Sequence, residues 1–302
     1  MNQTIYALGF FDGVHLGHRA LLTQCRRLAE QAGCGCGAVT FGSHPDALVF
    51  GSAPVLINTP ADRERLLRRH LDRVVTLPFD EKMHTTPWSD FLELLRRDYG
   101  AAGFVCGDDF RFGSHGLGTG ALLADYCRAE KLPWAVVPEQ TVHGTRVSSS
   151  YIRTLLEQGD MEEAAAFLGH PHILTGTVIH GHQLGRTLGI PTANLPLPAE
   201  LAVPRFGVYA CLVELEGEKH PAVTNIGTRP TVHGRGITVE PWILDYQGDL
   251  YGRELTLEFY KFLRPEQAFP SLDALQAEIH RNAEQTRQYF GLPEKHCLHG
   301  CS

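Results

Sequence analysis

No stretch of this 302-residue chain is apolar for long enough to span a membrane, and the Gly-x-x-x-x-Gly-Lys-Ser/Thr phosphate loop is missing from it. There is no excess of positive charge either. Lys and Arg number 27 against 34 Asp and Glu, a net charge of −7, which argues against broad binding to nucleic acid or to an anionic membrane surface. The eight cysteines (Cys25, Cys34, Cys36, Cys106, Cys127, Cys211, Cys297 and Cys301) form no paired CxxC knuckles and no disulfide-framework spacing. Reduced thiols in a cytoplasm are the expectation. Residues 1–11 are apolar but lack the basic flank of a secretory signal, and Asp12 and Gly13 end the run. Neither an internal repeat nor a low-complexity segment is visible.

What is present falls into two rhythms. Strand-like runs near 4–9, 37–41, 73–77, 103–106 and 134–138 alternate with helix-like segments at 17–31, 61–69, 88–97 and 119–130. That alternation predicts a parallel sheet covered on both faces, with ligands at the carboxyl ends of its strands. Two further helices are expected at about 149–158 and 160–168. From there the pattern changes to strands near 173–179, 207–215, 220–225, 236–244 and 254–262, separated by glycine and proline turns. Consecutive strands predict an antiparallel sheet or closed barrel, followed by one closing helix over 271–290 capped by Ser271. The expected domains are 1–170 and 171–302, divided near Gly169-His170-Pro171.

Three strand ends in the first half carry chemistry. Gly9-Phe10-Phe11-Asp12-Gly13-Val14-His15-Leu16-Gly17-His18 places two imidazoles where a strand hands over to a helix N-terminus, a natural anion site. Such imidazoles can donate to a phosphate whose charge grows during reaction, although a zinc pair or chance among 16 histidines is the plainer alternative. A third imidazole, His44, follows the next strand. Gly107-Asp108-Asp109-Phe110-Arg111-Phe112-Gly113 offers carboxylates and aromatic faces for a planar ring, or is simply a turn with core phenylalanines. Ser148, Ser149 and Ser150 can cap a helix whose Arg153, one turn in, can fork onto phosphate oxygens.

The second half holds Gly176-Thr-Val-Ile-His180-Gly181-His-Gln-Leu-Gly185-Arg186-Thr-Leu-Gly189-Ile-Pro191-Thr192-Ala-Asn194. A glycine-spaced loop can lie against phosphates through its backbone. Thr192 and Asn194 alternate about Ala193, so in an extended strand they share a face and make good hard ligands for Mg²⁺. In strand 236–244, Glu240 shares its face with Thr238, Trp242 and Leu244, a half-apolar setting that should raise a carboxyl pKa and improve a base. Pro241 removes a ladder donor and fits an edge strand.

The set GFFDGVHLGH, TFGSHP, GDDFRFG and VSSSYIR, followed by the second-half succession, resembles the bacterial bifunctional riboflavin kinase/FMN adenylyltransferases (FAD synthetases) along the whole chain. The resemblance implies a Rossmann-like HxGH nucleotidyltransferase domain and a small antiparallel β-barrel kinase. It implies His15 and His18 at the ATP α-phosphate, within an ATP site formed by Gly9, Phe10, Asp12, Gly13, His44, Ser148, Ser149, Ser150 and Arg153. For the kinase it implies an ATP site of Gly181, Gly185, Arg186, Gly189, Thr192 and Asn194, with Mg²⁺ on Thr192 and Asn194. Glu240 is implied as base for the ribityl 5′-hydroxyl. Flavin contacts fall to Asp108, Asp109 and Phe110 in one domain and to Asn225, Arg229, Glu240 and Arg264 in the other. The implied partners are riboflavin, FMN and ATP, with neither nucleic acid nor membrane. The chain departs from the pattern at Phe10, Ser43, Ser150 and Tyr151, and Asn282 stands where aspartate is frequent. A riboflavin kinase whose N-terminal half binds nucleotide without turning it over is therefore the alternative reading.

Overall fold

In the computed structural model, which describes residues 3–180, 190–231 and 234–293, the apolar runs of the first half become the strands β1 (Thr4–Leu8), β2 (Gly35–Phe41), β3 (Arg73–Leu77), β4 (Ala101–Gly107) and β5 (Trp134–Val137). Between them run α1 (Leu16–Ala32), α2 (Pro45–Val49), α3 (Pro60–Arg68), α4 (Glu81–Thr85), α5 (Trp88–Tyr99) and α6 (Gly120–Ala129). A short hairpin follows, β6 (Thr141–Val142) with β7 (Thr145–Arg146), and then α7 (Ser149–Gln158) and α8 (Met161–Leu168). The sheet order is β3-β2-β1-β4-β5, parallel at every pairing. All five residues of β1 are buried, as a central strand covered on both faces requires. Helix α1 buries Leu21, Leu22, Cys25 and Ala29, which lie on one stripe, and ends on Gly33 in the left-handed conformation. Because β1 is flanked by β2 on one side and β4 on the other, a crevice opens at the carboxyl ends of β1 and β4, where the winding reverses.

The chain divides into two compact units. The first comprises residues up to Tyr151 together with Phe167–Gly169; the second comprises Ile152–Ala166 together with the residues from His170 onward. The second unit holds β8 (His172–Thr177), β9 (Leu195–Pro196), β10 (Gly207–Leu215), β11 (Glu218–Thr231), β12 (Gly234–Ile243), β13 (Glu254–Pro265) and α9 (Leu272–Tyr289). Its antiparallel order is β8-β13-β10-β11-β12-β9. The two outer strands approach one another: the Ile179 N–H donates to the Asn194 carbonyl (2.9 Å), and a Cβ at Gly176 would lie 3.5 Å from the Leu195 side chain. The sheet is thus a nearly closed barrel, which protects its edges. β10 and β11 are joined through Glu216 and Gly217, both with positive φ (53° and 86°), the backbone that a two-residue hairpin loop needs.

Pro241 lies inside β12 rather than at an outer edge. Its carbonyl accepts from Ala193, so its missing N–H also falls on the β9 side, and the ladder to β11 loses nothing. Helix α9 starts at Ser271, whose hydroxyl accepts the Ala274 N–H, as expected.

His172 at the start of β8 is 4% exposed, and its Nδ1 has no hydrogen-bond partner among the described residues. Burial, followed by the nearby His170, pushes its pKa down to about 3. The unfolded chain takes a proton there near pH 6.5 that the folded chain refuses. Stability present above pH 6.5 is therefore lost as pH falls, by up to roughly 5 kcal/mol at pH 3. In urea unfolding of His172→Phe beside the wild type, the gap between the two stabilities is expected to change steadily from pH 7 to pH 4 in favour of the variant. A pH-independent gap contradicts a buried neutral imidazole.

Candidate nucleotide and flavin sites

In the first unit the crevice at the ends of β1 and β4 is a cavity of about 260 Å³. Gly9, Phe10, His15, His18, Asp108, Asp109, Phe110, Ser148 and Ser149 all line it, so residues from three distant motifs meet there. Two helix N-termini converge on this cavity: α1 through Gly17 and His18, and α7 through Ser148 and Ser149. Their free N–H groups and positive dipole ends favour an anion.

His15 is the cap of α1; its Nδ1 accepts the His18 N–H (3.3 Å), which leaves Nε2 as the N–H donor. The His15 and His18 rings stack at 3.6 Å between centroids with 14° between planes. Two imidazoles in that contact cannot both carry charge comfortably. Burial first, then His15 and Arg63, hold His18 well below the ordinary imidazole range, so it is neutral at pH 7. Ser148 accepts the Tyr151 N–H, and Ser149 donates to the Asp12 carbonyl (3.0 Å), which ties α7 to the histidine turn.

Other candidate residues are placed differently. Asp12 turns its carboxylate inward, where Oδ1 accepts from the backbone of Ile57 (2.9 Å) and Asn58 (3.4 Å). Gly13 has φ +79°, and a Cβ there would strike Ile57 at 2.9 Å. Both shape the turn. His44 caps α2 through its Nδ1 and meets the Phe10 ring edge-on at 4.6 Å. Ser150 is exposed on the first turn of α7, and Arg153 belongs to the second unit. Phe110 faces the cavity while Phe112, stacked on it at 5.8 Å, is core. Tyr151 packs edge-on against Phe167 at 4.9 Å.

Arg146 was not singled out from the sequence. It lines the same cavity and pairs with Asp109 (2.6 Å) and Glu139 (2.7 Å). Its only sequence signal was its place two residues before Ser148.

In the second unit, strand register supplies the site. Arg264 lies opposite Val208, Val208 opposite Asn225, and Asn225 opposite Glu240. The register Thr238↔Pro196 and Val239↔Leu195 continues to set Glu240 against Asn194. Directly opposed residues share a face, so Arg264, Asn225, Glu240 and Asn194 stand in one row across the barrel wall. Thr238 donates to Glu240 Oε1 (3.0 Å), and further along that face Trp242 and Leu244 pack under α9. The expected half-apolar face is present, and this hydroxyl is bonded to the carboxylate on it. Arg264 donates through Nε to Asn282 (3.0 Å) and lies 3.5 Å from Glu278, so α9 holds it in place. Asn282 is 1% exposed and bonds Arg264, the structural part expected of it.

Thr192 and Asn194 precede β9 instead of lying within a strand, though the chain there is bonded to β12. Thr192 lines a cavity of about 50 Å³ together with Asp249, Leu250 and Tyr251, while Asn194 is buried. Hydroxyl, amide and carboxylate oxygens of this kind fit a hard cation. Gly181, Gly185, Arg186 and Gly189, and the Arg229 side chain, lie outside the described residues.

The FAD synthetase family matches residues 1–151, and the riboflavin kinase family matches residues 168–290. A relative from Listeria monocytogenes, described as a bifunctional riboflavin kinase/FMN adenylyltransferase, is 33% identical across 95% of this chain and 92% of its own length. One from Escherichia coli with the same description is 36% identical across 95% and 93%. This chain belongs to the bifunctional riboflavin kinase/FMN adenylyltransferase family. The resemblance of its motifs is borne out in both halves. A crystal structure from Streptococcus pneumoniae titled as a macrolide-efflux protein also shares the fold, with a TM-score of 0.85 at 30% identity over 95% of this chain and 94% of that one. No described helix of this family member is long and apolar enough to cross a membrane.

Asp12 gives a test of the inward-facing carboxylate. Asp12→Ala strands two buried N–H groups and is expected to lower the stability of the first unit by about 2–3 kcal/mol, read as an earlier urea transition. An unchanged transition contradicts this placement.

Proposed function

We propose that the second unit transfers the γ-phosphoryl group of ATP to riboflavin, and that the first then transfers AMP from a second ATP to the resulting FMN, giving FAD and pyrophosphate. The observation that carries this is the presence, in one chain, of an imidazole-lined crevice at the sheet's switch point and a carboxylate–amide row across the barrel wall. ATP is the co-substrate of both steps.

In the kinase step Glu240 accepts the proton of the ribityl 5′-hydroxyl as that oxygen bonds to the γ-phosphorus and ADP leaves. Thr238 holds the carboxylate by donating to Oε1. Asn225 and Arg264 orient the flavin from the same row. Mg²⁺, held by Thr192 and Asn194, would neutralise phosphate charge there.

Adenylyl transfer needs no strong base, because the FMN phosphate oxygen is already a nucleophile. It attacks the α-phosphorus in line, and the bond to pyrophosphate breaks. His15 and His18 donate to oxygens whose charge grows in that step, assisted by the N–H groups of α1 and α7. Asp108, Asp109 and Phe110 line the flavin side. Gly9 and Phe10 form the floor, with Asp12, Gly13 and His44 as its supports and Ser148–Ser150 on the phosphate side. We place the enzyme in the cytoplasm, consistent with the free thiols at all six described cysteines.

Product analysis of riboflavin, ATP and Mg²⁺ with the purified protein tests the division of labour. The wild type is expected to yield FMN and then FAD. His18→Ala is expected to stop at FMN, with adenylyl transfer slowed about 10²–10³-fold. Glu240→Gln is expected to make FAD from FMN but no FMN from riboflavin. Equal damage to both reactions by either substitution contradicts two separate sites.

A further inference from the structure

Arg63 on α3 is 1% exposed, yet no part of the adenylyl-transfer reading uses it. Its Nη2 donates to the Phe41 carbonyl at the end of β2 (2.6 Å), while Nη1 has no hydrogen-bond partner among the described residues. The guanidinium lies 4.2 Å from the centre of the Phe10 ring, a cation–π distance. Phe10 in turn meets His44 with its edge and forms part of the cavity wall, and its carbonyl accepts from Thr40 (2.9 Å). Asp12 lies close enough to act on the charge of Arg63, but its Oδ1 is spent on the backbone of Ile57 and Asn58. Burial lowers the Arg63 pKa to about 10, so the group is still a cation at neutral pH.

An incompletely bonded cation is costly to bury, and an apolar side chain of similar length is often as stable or more so in such a place. The charge therefore has a use beyond holding the fold. We propose that Arg63 is a positioning residue for adenylyl transfer: it clamps the Phe10 ring into the cavity wall and sets a permanent positive charge whose field reaches His18. The proposal rests on the adenylyl-transfer reading of this cavity. His18 is faced by His15, stacked on it from the turn before α1, and by the edge of Phe11, and the charge of Arg63 on α3 acts on it. Burial first, then His15 and that cation, make His18 a neutral donor to the triphosphate, and the developing charge finds a fixed countercharge that need not reorganise.

The test compares Arg63→Met and Arg63→Lys with the wild type by FAD formation from FMN and ATP, by thermal midpoint, and by the His18 ring titration in NMR. Arg63→Met is expected to keep or raise the thermal midpoint while losing at least tenfold in kcat/KM for FAD formation, with the His18 midpoint moving up from its wild-type value. Arg63→Lys keeps the charge without the planar stack, and is expected to hold the His18 titration near wild type and recover part of the rate. A stable Arg63→Met protein with FAD formation within twofold of wild type and an unmoved His18 titration overturns the proposal alone. So does a fall in thermal midpoint that both variants share, with the His18 titration unchanged. Absence of FAD formation by the wild type overturns the adenylyl-transfer reading itself, and the proposal with it.

Discussion

A nucleoside triphosphate is strongly anionic, and this protein has a net charge of −7. The field of the whole molecule therefore does not gather ATP, and attraction has to come from donors a few ångströms away. Each unit meets this constraint at one place, and much of the architecture around each place follows from it.

The two units meet it by different means. In the first, the reversal of strand order beside β1 opens a crevice, and helices α1 and α7 aim their N-termini into it. On the proposed reading the donors are backbone N–H groups and two stacked imidazoles, and burial, then its neighbours, keep His18 neutral. Neutral donors with fixed direction suit a reaction whose nucleophile is already an anion, since added formal charge would hold the reactants without favouring the transition state in particular. In the barrel, the scaffold is a cross-strand row. Register alone brings Asn194, Glu240, Asn225 and Arg264 together, and α9 covers the neighbouring row through Trp242, Leu244 and Ala283. On the proposed reading a base is needed here because riboflavin offers a hydroxyl, and the row holds a carboxylate with a hydroxyl bonded to it.

Most elements were legible in the sequence. The apolar runs that became β1 to β5 and the Ser271 cap of α9 were read within a few residues of where they lie. β11 proved much longer than its apolar run, Glu218–Thr231, because Pro221 and Pro230 mask its period. The short elements α2, α4, β6, β7 and β9 were not read, since two to five residues carry too little periodicity. At the site, the histidine turn and the serines were legible because helix starts have local signatures. The inward turn of Asp12 and the burial of Arg63 were not, because Asp12 bonds the distant backbone of Ile57 and Asn58, and Arg63 meets Phe41 and Phe10 from other elements. The barrel row was legible as a set of residues but not as a row, because strand register comes from hairpin geometry and from the β12–β9 pairing rather than from any one strand.

The central claim is that each unit binds its own triphosphate. The direct measurement is the number of molecules of a non-hydrolysable ATP analogue bound per chain at saturation, by equilibrium dialysis with Mg²⁺ present. Two per chain are predicted, falling to one when His15 and His18 are both replaced by alanine. A single molecule bound by the wild-type chain, or loss of all binding in that double variant, would contradict the account.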